Sequence, residues 1–225
     1  MTAGVETGAS AQDRTLDELR LALAPEIAAA AVFDGWTDNA LMEAAALAGV
    51  QPALARLAFR GGAMDMVAAW IASIDARMQS AYAGGALDSL KIRDKIRTLV
   101  LFRLDATAGQ KEALRRALAI MALPTNVPRA LRTAWSSADA MWRLAGDVAT
   151  DYNHYTKRAM LAGIYSATLA VFIEDDSEEH AQTRAFLDRR IDDVMRFEKA
   201  KARFLREREG FDVTRFLGRL RYPER

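Results

Sequence analysis

Alanine constrains this chain more than any other feature: 45 of its 225 residues are Ala, against ten Val and nine Ile. Ala loses no side-chain entropy in a helix, whereas β-branched residues favour strands. Apolar positions also recur every three or four residues rather than alternating. The fold class is therefore all-α. The length suits one large domain or two small ones. At 51% hydrophobic and 27% charged, the chain has an ordinary soluble globular composition. The absence of Cys excludes disulfides, thiolate zinc sites and a Cys nucleophile, and fits a reducing compartment. No early basic segment leads into an apolar run, so no signal peptide is expected.

Punctuation divides the chain. Residues 1–14 read as a disordered lead-in. Thr15 and Glu18 form a capping-box pattern that opens the first helix, and Pro25 is expected to restart or kink it. After Asp34-Gly35-Trp36, Thr37 caps a second helix over 38–48, which ends at Gly49. Pro52 suits the first position of a third helix over 52–59, broken by Gly61-Gly62. A fourth helix over 63–82 carries the stripe Met66, Val67, Trp70, Ile71 and Ile74.

This order is a helix-turn-helix unit followed by a connecting helix. With Gly35-Trp36-Thr37, Ala48-Gly49-Val50 and Phe59, residues 15–62 resemble the N-terminal unit of TetR-type regulators. A recognition helix needs donors for bases and phosphates. The third helix reads PALARLAF, with Arg56 and Arg60 as its only candidates. The resemblance implies the fold, whereas the DNA-reading chemistry is largely missing from these residues: no nucleic-acid partner is expected, and a TetR-type ligand-responsive transcriptional regulator stands as the alternative reading.

Residues 63–208 form the larger bundle. Helices are expected from Asp88 to Leu104, Lys111 to Leu123, Pro128 to Gly146, Ala159 to Ile173 and Ser177 to Arg208. The Ala159–Ile173 run is too short to span a bilayer and reads as a buried central helix. Its small residues Ala159, Ala162, Gly163, Ser166, Ala167 and Ala170 permit either close helix packing or space for a ligand. By the TetR resemblance, the last two helices would build a homodimer.

Residues 145–165 gather Asp151, Tyr152, Asn153, His154, Tyr155, Lys157 and Arg158 just ahead of that apolar helix. Two readings stand: a recognition surface of exposed aromatic and basic groups, or a well-capped helix start. Catalytic patterns are scarce. The two His residues, His154 and His180, lack the paired Glu-x-x-His repeats of a di-iron bundle. No phosphate-binding glycine loop or nucleophile elbow occurs. Neither catalytic residues, a metal site, a cofactor nor enzyme activity is expected.

Nine Lys or Arg against four acids give residues 199–225 a net charge of +5, leaving the rest at −4. In the 209–225 tail, Val213, Phe216, Leu217 and Leu220 fall on one helical face with Phe211 at its edge, and Arg215, Arg219 and Arg221 flank it. This suits a helix lying in a membrane interface, or one folded back on its own bundle or dimer mate.

The segment DAMWRLAGDVATDYNHYTKRAML at 139–161 closely resembles the accessory lipid-binding proteins of ubiquinone biosynthesis, ninth in the coenzyme Q (COQ) series. LPTNVP at 123–128, GWTDNAL at 35–41 and TRAFLDRRIDDVM at 183–195 fit the same family. The resemblance implies a TetR-like homodimer that holds an isoprenoid quinone precursor, docks its tail on the membrane and engages the di-iron demethoxyubiquinone hydroxylase. It assigns the hydroxylase patch to Asp151, Tyr152, Asn153, His154, Tyr155, Lys157 and Arg158. Lipid-wall candidates are Leu99, Leu118, Met121, Trp135, Met141, Trp142, Met160, Ile164 and Leu169, around a cavity expected between the fifth, seventh and eighth helices. His154 stands where many relatives carry Trp. Without a mitochondrial targeting segment, the expected setting is a bacterial cytoplasm, peripheral to the inner membrane.

Overall fold

Thr15 opens the first helix as its sequence requires. Its Oγ1 accepts from the Glu18 amide, and the Glu18 carboxylate accepts from the Thr15 amide at 2.8 Å. In a computed structural model that describes residues 14–147 and 152–209, α1 spans Leu16–Asp34, α2 Asp38–Leu47, α3 Pro52–Ala58, α4 Ala63–Ala81 and α5 Ile92–Asp105. The chain continues through α6 (Lys111–Ala122), α7 (Val127–Leu144), α8 (Tyr152–Phe172) and α9 (Ala181–Glu209). No strand occurs among the described residues.

Pro25 lies inside α1 and does not restart it, so of the two expectations, a restart or a kink, the restart is excluded. The missing amide frees the carbonyl of Leu21, which lies on an exposed part of the helix. Leu19, Leu23, Ala24, Ile27, Ala28 and Ala31 meanwhile bury a continuous stripe. That stripe packs chiefly on α2 and α4. The α2–α3 turn closes on Gly49 at φ +65°, a left-handed conformation that favours glycine. The N-terminal unit is also tied to the larger bundle. The Trp36 indole is buried 5.3 Å from Trp70 and donates to the Ala113 carbonyl of α6 at 3.0 Å.

Three helix starts depart from the sequence expectation; of these, α9 opens at Ala181 rather than Ser177, because Glu179 and His180 turn through positive φ just before it. Helix α5 starts at Ile92 rather than Asp88, because residues 85–90 make tight turns pinned by buried Leu87, and Lys91 is extended. Helix α8 starts at Tyr152, so the polar stretch rides on its first turns instead of preceding it. Nor is α8 buried all round within one chain. Leu161, Tyr165, Thr168, Leu169 and Phe172 face inward, while Ala159, Gly163, Ser166, Ala167 and Ala170 are exposed. A helix with one small-residue face can be approached closely on that side. On its inward side, α8 packs against α7 and α9.

Candidate functional site

The end of α7 meets the start of α8 around five charges joined in four ion pairs. Arg158 is only 2% exposed, although the sequence placed it in a surface patch. It is buried because its charge is matched: Nε donates to Asp139 at 2.6 Å and Nη1 to Asp147 at 3.0 Å. Lys157 adds a 2.6 Å bond to Asp147, and Arg143 a 2.7 Å ion pair to Asp139. Burial alone would raise the pKa of both aspartates. Contacts from Arg158 and Arg143 to Asp139, and from Lys157 and Arg158 to Asp147, outweigh it and hold both carboxyls below the ordinary carboxylate range. The Trp142 indole donates to the Lys157 carbonyl at 3.0 Å, and the Lys157 ammonium lies 5.4 Å from its ring. These contacts fix the two helix ends against each other.

On that rigid corner sits an aromatic cluster. Tyr155 is 62% exposed, with its ring 5.1 Å from His154 and 5.9 Å from Trp135. Exposed apolar side chains continue along α7 and the turn before it, through Leu131, Val127 and Leu123. A rigid, partly apolar aromatic surface of this kind suits protein docking.

Two hollows flank α8. The first, about 420 Å³ including its open mouth, lies among α5, α7, α8 and α9 and is lined by Ile96, Trp142, Met160, Ile164, Val194 and Met195 among others. The second, about 560 Å³ on the same basis, lies among α4–α8, with Trp70, Ile74, Leu114, Leu118, Met121 and Leu169 in its wall.

The segment that carries the corner and borders both hollows also carries the decisive likeness. Residues 127–198 match the COQ9 family. The mitochondrial ubiquinone biosynthesis protein COQ9 of Rattus norvegicus is 36% identical over 168 residues, covering 72% of this chain and 54% of the relative. The Homo sapiens protein of that name is 34% identical over 168 residues, covering 72% and 52%. The chain thus spans about half the length of these COQ9 relatives. Among solved structures, a TetR transcriptional regulator from Nitrosomonas europaea superposes with a TM-score of 0.61 at 23% identity, covering 78% of this chain and 97% of the regulator. That likeness establishes the TetR-like fold read from the sequence.

Within this COQ9-like frame, the single lipid wall read from sequence divides. Leu118, Met121 and Leu169 line the second hollow, and Trp142, Met160 and Ile164 the first. Leu99 and Met141 are fully buried in the core and line neither, because the α5 and α7 stripes pack there without a gap. Trp135 belongs to the aromatic cluster instead. Of the docking patch, His154 and Tyr155 share that cluster, Lys157 is half-buried in its ion pair, and Arg158 is inside. Asp151, the side chains of Tyr152 and Asn153, and the tail residues Phe211, Val213, Arg215, Phe216, Leu217, Arg219 and Leu220 lie outside the described residues. On the α3 surface, Arg56 is held by Asp38 at 2.7 Å.

Sequence reasoning missed the counter-ions Asp139 and Asp147, and also Arg103 and Asp75 beside the second hollow. A signal existed for each of the last two. Arg103 interrupts the apolar stripe Leu99, Val100 and Leu104, and Asp75 follows Trp70, Ile71 and Ile74. A charge inside such a stripe must find a buried partner.

Proposed function

We propose that this protein is a lipid-binding accessory factor of ubiquinone biosynthesis, without catalytic chemistry of its own. It holds an isoprenoid quinone precursor beside α8 and presents it to the di-iron demethoxyubiquinone hydroxylase. The observation that carries this reading is the COQ9 match over residues 127–198, which covers the rigid aromatic corner and part of the walls of both hollows. Met160 and Met121 support it, because unbranched thioether side chains adapt to a variable apolar guest.

The working unit in this proposal is a homodimer through α8 and α9, a reading supported by the exposed small-residue face of α8. Attachment is peripheral to the inner membrane, through the amphipathic basic tail. No single helix among the described residues is long and apolar enough to cross a membrane. The test is native mass spectrometry of protein purified under mild conditions, followed by organic extraction. A co-purifying polyprenyl lipid is the expected result. A protein that arrives empty and takes up no isoprenoid from vesicles overturns the reading.

A further inference from the structure

The second hollow is greasy on most sides and charged on one. Arg103, a lining residue, is 1% exposed and ion-paired to Asp75. Its Nε has no hydrogen-bond partner, and its Cζ lies 4.8 Å from the centre of the Tyr165 ring, also in the wall. Ser137 Oγ donates to the other Asp75 oxygen at 2.8 Å, and Ser137 and Thr107 line the same hollow. Among the described residues, this is where a buried donor without a partner and an apolar cavity meet.

Stability does not account for the pair. A buried ion pair gains little over well-packed apolar residues of the same volume, and an unused donor makes the balance worse. Ligand recognition does account for it, since binding cavities are largely apolar with a few placed polar groups that orient the guest.

Resting on the lipid-binding reading above, we infer that Arg103 and Asp75 receive the polar end of the lipid, head inward, and that this head is an uncharged, oxygen-substituted ring. The charge balance selects that chemistry. Arg103 and Asp75 together sum to zero. A carboxylate or phosphate drawn to Arg103 would be desolvated beside Asp75, and an ammonium drawn to Asp75 would meet Arg103. A carbonyl or phenol oxygen accepts from the guanidinium and brings no charge into the hollow. The apolar tail then lies along Leu114, Leu118, Met121 and Leu169.

Binding is measured by calorimetry on the full-length chain with three probes: a benzoquinone with a ten-carbon tail, decylbenzene and dodecanoate. The native chain should bind the quinone about tenfold or more tighter than decylbenzene. Replacing the pair with apolar residues (Arg103→Met with Asp75→Leu) should erase that preference and leave decylbenzene affinity unchanged. Circular dichroism checks the fold of the variant. If it does not fold, the three-probe comparison on the native chain and on Arg103→Lys decides.

Equal affinity of the native chain for quinone and decylbenzene overturns the head-group assignment but leaves lipid binding standing. Retention of the preference in the double variant does the same. Dodecanoate binding tighter than the quinone overturns the uncharged head. No binding of any probe removes the lipid-binding reading itself.

Discussion

Arg158→Met tests whether the corner between α7 and α8 is built on buried charge. Met keeps much of the stem volume and removes the guanidinium. Asp147, 5% exposed at its side chain, and Asp139 would lose bonds of 3.0 and 2.6 Å, and the His154 carbonyl would lose one of 3.1 Å. Removing one member of a buried ion cluster typically costs 3–5 kcal/mol. The low end applies here, because Asp147 keeps Lys157 and Asp139 keeps Arg143. A loss of about 3 kcal/mol in a chain of this size lowers Tm by roughly 6–12 °C. Scanning calorimetry and urea titration measure it. The triple variant Arg158→Met, Asp139→Asn, Asp147→Asn removes the stranded charges together and should recover at least half of the loss. A Tm within about 2 °C of the native protein for Arg158→Met, or a triple variant no more stable than the single one, refutes the reasoning.

Three further outcomes follow from the same geometry. Tyr155→Ala removes the exposed ring of the cluster, so affinity for the purified hydroxylase should fall about 30-fold by biolayer interferometry, with stability changed by less than about 0.5 kcal/mol; unchanged affinity would remove the docking assignment. Burial would raise Asp175, but the hydroxyls and amides of Ser177 and Thr183 donate to it and hold it far below the usual carboxylate range. Its stabilising contribution is thus complete above its unfolded pKa of about 4 and declines as pH falls toward the folded one, so the Tm advantage of the native protein over Asp175→Asn should shrink between about pH 5 and pH 2. A constant difference would show that Asp175 is not the titrating group. Replacing Phe216 and Leu217 with Glu should abolish flotation with anionic liposomes, and continued flotation would exclude the tail as the anchor.

The helix boundaries show how far local rules reach. The capping box at Thr15, the Thr37 cap and Pro52 at the start of α3 are contacts within a few residues, and each stands where the residue types place it. Pro25 and the start of α8 fall outside that reach. A long buried stripe carries α1 through its proline, and the charged first turns of α8 are secured by Asp139 and Asp147 from across the corner.

What this sequence determined by itself is the all-α class, the helix-turn-helix order and the family, because helix propensity, apolar period and motif are properties of neighbouring residues. Only the tertiary structure decided that Arg158 is internal, that the residues read as one lipid wall border two separate hollows, and that Arg103, which lines one of them, is paired to Asp75. Such facts depend on residues far apart in the chain meeting in a low-dielectric interior, where a charge is tolerated only beside its partner.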